Sequence, residues 1–161
     1  MDLLGEEVTS EEEKLLLGGM PVQKIIGFIN FDDLKINVSK DVLIPRYETQ
    51  EVVHEALKHI KQNSRVLDLC CGSGYIGLTV KHKRNCEVVL SDIDDEAISQ
   101  TMENALLNDL DVKVIKSDLF ENIKGSFDVI VSNPPYIPNN TRLSESVTLF
   151  EPSRALFGGK D

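Results

Sequence analysis

A chain of 161 residues has room for one hydrophobic core and hardly for two. Hydrophobic residues make up 41% and charged residues 27%, with 10 Gly and 6 Pro, which excludes a disordered or fibrous protein. The 17 Lys and Arg stand against 27 Asp and Glu, a net charge of -10 that repels a phosphate backbone unless the cations cluster, so nucleic acid is a disfavoured substrate.

No apolar stretch approaches the roughly 20 residues of a spanning helix, and Met1 is followed by an acid where a secretory signal carries a base. The reading is a protein neither inserted in a membrane nor exported. Cys70 and Cys71 are adjacent and Cys86 is alone, without the CxxC spacing of a zinc site, and reduced thiols suit the cytoplasm. His54, His59 and His82 are scattered, so no metal is expected.

In chain order, Ser10 with Glu13 reads as a capping box ahead of Leu15, Leu16 and Leu17, closed by Gly18 and Gly19. Residues 25–31 and 34–38 are β-formers around Asp32-Asp33, which predicts a hairpin. Val52, Val53, Ala56, Leu57 and Ile60 recur at helical spacing and predict a helix over 48–61. Strands are then expected at 65–69, 87–92, 112–116 and 127–132, with helices at 75–81 and 95–108 between the first three. Short apolar strands bounded by helices predict an α/β fold with a doubly wound, mostly parallel Rossmann-like sheet, since a parallel neighbour is reached only by a crossover.

The chemistry gathers at the carboxyl ends of these strands. Val66-Leu67-Asp68-Leu69 runs into Cys70-Cys71-Gly72-Ser73-Gly74, so a glycine turn leaves a strand and opens a helix. Without Cβ atoms, Gly72 and Gly74 let the backbone turn sharply and approach a ligand closely. Asp68 places an anion before the turn, which suits a cationic ligand better than a pyrophosphate. Asp92 ends the second strand eighteen residues beyond Gly74, near the spacing of an acid that accepts ribose hydroxyls. Asp92 also reads as a helix-entry acid beside Asp94 and Asp95. Both acids suit an adenosine that carries an ammonium and a sulfonium. The fourth strand runs into Asn133-Pro134-Pro135-Tyr136, a stiff turn that can hold an NH2 group, although composition alone favours an ordinary proline-rich loop.

The order DLCCGSG, SDID, SDLF and VSNPPYIP resembles the class I S-adenosylmethionine-dependent methyltransferases that modify planar amide or amino nitrogens. LIPRYET at 43–49 and FEPSRALFGGKD at 150–161 look like the protein-glutamine N5-methyltransferase family, a likeness that runs from Pro21 to Asp161. The resemblance implies S-adenosyl-L-methionine as cofactor, S-adenosyl-L-homocysteine as product, and a peptide chain release factor as protein substrate. It places cofactor contacts at Cys70, Cys71, Gly72, Ser73, Gly74, Asp92, Asp118, Leu119 and Asn133, to which the strand-end position adds Asp68. Asn133, Pro134, Pro135 and Tyr136 would meet the substrate, with Asn133, Pro134 and Tyr136 catalytic. Two departures stand out: Cys70 occupies the first glycine position of the class, and Leu119 replaces the tryptophan of some members, which weakens stacking on adenine.

Family members usually carry a helical substrate domain before this region and more sheet after it. Residues 1–20 therefore read as the remnant of that domain, 21–45 as a hairpin linker, and 46–161 as a methyltransferase core that lacks its last strands. The strand at 127–132 should be an open edge, with Val129 and Val131 on one face and Ile130 on the other, partly covered by residues 149–157. A second copy or an accessory protein would meet the remainder. The rival readings are an N6-adenine or other nucleic-acid amino-methyltransferase, whose flipped base could stack on Tyr136, and a cofactor-binding remnant without turnover.

Overall fold

The computed structural model describes residues 8–160, so the remnant assigned to residues 1–20 falls partly outside the described residues. The first helix, α1 (Ser10–Leu17), is capped one residue earlier than the sequence suggests. Thr9 has extended backbone and accepts the Glu12 N–H at 3.2 Å, while the Glu12 carboxylate takes the Thr9 N–H at 2.8 Å. The reciprocal pair is thus Thr9 and Glu12, not Ser10 and Glu13. No residue of α1 is buried, and Leu17 stands exposed.

Ile25 and Ile26, read above as strand, close the short helix α2 (Val22–Ile26). Pro21 opens it and Gly27, left-handed at φ 82°, ends it, so the punctuation at both ends overrides the strand preference of two β-branched residues. The hairpin follows as β1 (Phe28–Phe31) and β2 (Leu34–Asn37), antiparallel. Its turn residues Asp32 and Asp33 are both left-handed, at φ 50° and 67°, which is the backbone a two-residue hairpin turn requires.

The remaining elements are α3 (Tyr47–His59), β3 (Arg65–Leu69), α4 (Tyr75–Lys83), β4 (Glu87–Asp92), α5 (Asp95–Leu107), β5 (Lys113–Lys116), β6 (Val129–Ser132), β7 (Ile137–Pro138), α6 (Glu145–Phe150), α7 (Ser153–Leu156) and β8 (Phe157–Gly159). Strands β5-β4-β3-β6 form one parallel sheet in that order, as the pattern of short apolar strands and helices predicts. Val66, Val88, Leu90 and Val131 share a cluster with Val53 of α3, Leu78 of α4 and Ala105 of α5. On the other face Leu67, Leu69 and Val89 form a smaller cluster with Ile115, Ile123 and Phe127.

The hairpin belongs to the main cluster through Ile29, Leu34 and Ile36. Its attachment to α5 is polar. Asn104 accepts the Asn37 N–H at 2.8 Å and donates to the Asn37 carbonyl at 3.0 Å. Asn108 does the same for Lys35, at 3.1 and 2.8 Å, and Gln100 accepts the Lys40 N–H at 3.0 Å. Asn104 and Asn108 thus occupy the outer edge of β2 as a strand would, and Gln100 continues the row onto Lys40 just beyond it. The turn is tied to α4, where Asp32 accepts the Tyr75 hydroxyl and Asp33 pairs with Lys83 at 2.6 Å.

Strand β6 is an edge, and its Ile130 is 51% exposed while Val131 is buried. Of residues 149–157, expected to cover part of this edge, Glu151 binds Arg46 and Arg154 binds Asp94 at 2.8 Å, and β8, which begins at Phe157, pairs in parallel with β7.

Candidate active site

Between β3 and α4 the chain turns through three left-handed residues, Cys70 (φ 61°), Gly72 (φ 56°) and Gly74 (φ 82°). For Cys70 this conformation costs on the order of 1–3 kcal/mol, so the surroundings must hold it. Cys71 donates its N–H to the Ser91 carbonyl at 3.0 Å, and the Gly72 N–H goes to the Asp92 carboxylate at 2.9 Å. From α5, Thr101 donates to the Gly72 carbonyl at 3.0 Å. A Cβ on Gly72 would meet no atom within 4 Å, so this backbone faces open space, whereas one on Gly74 would strike Thr101 at 2.9 Å.

The two acids flanking the turn differ. Asp92 lines a cleft together with Cys70, Cys71, Gly72, Ser73 and Asn133. Its second oxygen accepts the Asp94 N–H at 3.1 Å, and Asp94 itself caps α5, so the cap belongs to Asp94 and leaves Asp92 at the strand end. Asp68, expected to face a ligand as a fixed anion, lies behind the turn, fully buried and absent from the cleft lining. One oxygen accepts the Gly77 N–H at 2.8 Å and the other has no partner. Burial pushes the carboxyl up to about 7, with the Asp92 charge adding and the Gly77 hydrogen bond opposing.

Asp118 and Leu119 stand on the loop after β5, both exposed and outside the cleft lining. Leu119 is left-handed at φ 44°, its carbonyl held by the Ser117 hydroxyl at 2.9 Å. Asp118 is near enough for its charge to add to the rise in the Cys70 thiol pKa that burial dominates. Cys71 is pushed well up by burial too, so neither cysteine offers a thiolate nucleophile near neutral pH.

A second cleft adjoins the first. Pro134, Tyr136, Arg46 and Glu48 line it, and Asn133 and Leu43 line both clefts. Pro135, expected to meet the substrate, borders the first cleft instead. Tyr136 is 74% exposed, so its ring is presented to whatever enters. At the root of this loop the Ser132 hydroxyl donates to the Leu69 carbonyl at 2.7 Å, which joins the end of β6 to the start of the glycine turn.

Sequence reasoning gave no role to Glu151, the most consequential polar residue of the surrounding frame. Its carboxylate is almost wholly buried, binds the Arg46 guanidinium and accepts the Ile44 N–H at 3.2 Å. The LIPR and FEPSR strings, more than 100 residues apart in the chain, are thereby joined. The signal was a pair of opposite charges in two Pro-containing motifs, which only the fold brings together.

A parallel β5-β4-β3-β6 sheet with a glycine turn after β3 and an acid at the end of β4 is the architecture of class I methyltransferases. The fold resembles a methyltransferase from Pyrococcus furiosus (TM-score 0.58, 20% identity, 80% of this chain and 64% of that one). It is similar also to a ribosomal protein L11 methylase from Lactobacillus delbrueckii subsp. bulgaricus (TM-score 0.57, 24% identity, 63% and 52%). The family model named methyltransferase small domain matches residues 49–154, and the chain belongs to that family.

Among curated relatives, a release factor glutamine methyltransferase of Lactococcus lactis subsp. lactis (strain IL1403) is 40% identical across 98% of this chain and 62% of its own length. One of the same description from Clostridium botulinum (strain Hall) is 42% identical across 88% of this chain and 54% of its own length. The chain therefore spans a little over half of the length of these relatives.

Proposed function

We propose that this chain carries out S-adenosylmethionine-dependent N5-methylation of a glutamine side chain in a protein, with a peptide chain release factor as the substrate. The observation that carries the reading is the position of Asn133, which borders both clefts at the head of a turn stiffened by two prolines. The descriptions of the relatives support the choice of substrate.

The first cleft suits the cofactor. Gly72 offers open backbone, and Asp92 offers carboxylate oxygens for ribose hydroxyls. When bound, S-adenosylmethionine supplies a methyl group on a positively charged sulfur.

The acceptor's chemistry makes orientation the main requirement. An amide nitrogen is a poor nucleophile because its lone pair is delocalised, yet transfer to it needs no acid for the leaving group, only release of one nitrogen proton to solvent once the new bond has formed. In our reading the Asn133 side-chain oxygen and the Pro134 carbonyl accept the two amide protons and so fix the direction of the lone pair. Tyr136 packs against the amide plane. Holding the reacting groups in line is the source of effective molarity, and both oxygens favour the positive charge that develops on nitrogen.

No helix among the described residues is long and apolar enough to cross a membrane. A translation factor as substrate makes the reaction a cytoplasmic one. The test is competition: a release factor and an adenine-containing nucleic acid are offered together to the chain with labelled cofactor. Label in the protein supports the reading, and label in the nucleic acid overturns it in favour of an amino-methyltransferase.

A further inference from the structure

The wall shared by the two clefts is irregular backbone. Residues 38–46 form neither helix nor strand, yet Val42 and Pro45 shape the first cleft, Arg46 the second, and Leu43 both. Such a segment keeps one shape only where its backbone polar groups have fixed partners. A single side chain supplies three. The Lys24 ammonium, on α2, donates to the carbonyls of Val38, Lys40 and Val42 at 2.8, 2.7 and 3.0 Å. Three N–H donors meet three converging acceptors, which uses the head of the side chain completely.

The ammonium is half-buried, and burial lowers its pKa while the carboxylates of Asp41 and Glu151 oppose that change. Glu151 grips the same wall further along, through the Ile44 N–H and the Arg46 guanidinium. Carbonyls at 38, 40 and 42 are thus held from α2, and the donors at 44 and 46 from the segment between α6 and α7. Lys24 lies outside the residues matched by the family model, so nothing in that match assigns it a role.

We propose that Lys24 is a positioning residue for the active site, whose ammonium holds residues 38–43 in the shape that closes the first cleft around its ligand. The proposal rests on the reading of that cleft as the cofactor site. With Met in its place the side-chain length is kept, but the three carbonyls lose their common donor and turn to water. The wall then leaves the cleft more often, and a bound ligand loses contacts that no other element replaces.

The test is the whole chain carrying Lys24→Met, with S-adenosylhomocysteine as the calorimetric probe and amide hydrogen exchange followed at Val42 and Ile44. The expected result is a folded variant whose amides at these two positions exchange at least tenfold faster, while those of β3 and β4 keep their rates. Its affinity per folded molecule falls at least tenfold. A merely structural role would lower the melting temperature and leave the folded fraction with wild-type affinity, and that result overturns the proposal. Wild-type exchange at Val42 and Ile44 overturns it too. A wild-type chain that does not bind the probe overturns the reading of the cleft itself, a different failure. Should Lys24→Met not fold, Lys24→Arg is read in the same way, because a planar guanidinium cannot address three converging carbonyls as a tetrahedral ammonium does.

Discussion

The Asp92 carboxylate accepts the Gly72 N–H at 2.9 Å, so the end of β4 and the turn after β3 form one unit at the floor of the first cleft. A ribose ligand that is already tied to the turn needs little reorganisation to receive two hydroxyls. Asp92→Ala removes both the receptor and the tether. Its affinity for S-adenosylhomocysteine should fall at least tenfold, equivalent to about 1.4 kcal/mol or more. Calorimetry that finds wild-type affinity in this variant counts against the assignment of Asp92.

Asn133 should separate binding from transfer. Asn133→Ala takes away one of the two proposed acceptors for the amide protons and leaves the glycine turn and Asp92 untouched. Methyl transfer to a glutamine-containing protein should drop at least a hundredfold, in the range seen for loss of one oriented polar group at a reacting centre. Cofactor affinity should stay within about threefold, a change under 1 kcal/mol. Equal losses in both measurements would move Asn133 from the acceptor to the cofactor.

Asp68 predicts an unusual pH dependence of stability. A carboxyl raised from 3.8 to about 7 in the folded chain favours the protonated folded state. Its contribution is complete below the unfolded pKa, falls as pH rises toward 7, and is gone above it, at a slope of at most about 1.4 kcal/mol per pH unit. Asp32 and Asp33 are lowered and act in the opposite direction, but only as pH falls below the ordinary carboxylate range. Urea unfolding from about pH 5, roughly one unit above the ordinary carboxylate range, to about pH 8, read as the difference from Asp68→Asn, isolates Asp68. The wild-type chain should lose stability across this window relative to Asp68→Asn. Parallel curves for the two would show that Asp68 stays ionised.

Gly77 marks the closest approach of α4 to the sheet. A Cβ there would lie 2.7 Å from a Leu90 methyl, 2.8 Å from Leu90 Cγ and 3.0 Å from the Asp68 Cβ. Alanine is the better helix former by about 1 kcal/mol, but overpacking a filled core costs about 1–3 kcal/mol. Gly77→Ala should therefore be destabilised on balance, as read by denaturant midpoint. A more stable variant would mean that α4 can lift from the sheet without cost.

The strands that hold the site were legible as short apolar runs with an acid at or next to the carboxyl end, Asp68 in β3 and Asp92 in β4, and both match their expected bounds. Strand β6 begins two residues later than the apolar pattern suggests, because Asp128 is occupied with Arg65, whose N–H its carboxylate accepts at 2.7 Å. Pairs as short as β7 and β8 carry no periodicity to read. Gln100, Asn104 and Asn108 carried no role in the sequence reading, yet Gln100 and Asn104 are fully buried, Asn104 against the hairpin backbone and Gln100 on the Lys40 N–H just beyond it. Polarity alone does not distinguish a side chain facing water from one facing an unpaired strand edge. Asp68 was misplaced for a simpler reason. Strand alternation puts it on the same face as Val66, beneath α4, and that alternation was present in the sequence.

The central claim is that the acceptor is a glutamine nitrogen. Its most direct test is methyl transfer by this chain from isotopically labelled S-adenosylmethionine to a release factor, followed by fragmentation mass spectrometry of the product. The account predicts one methyl group, carried on the side-chain nitrogen of a single glutamine, and its loss with Asn133→Ala. A methyl group on an adenine amino nitrogen, or on a protein residue other than glutamine, would contradict it.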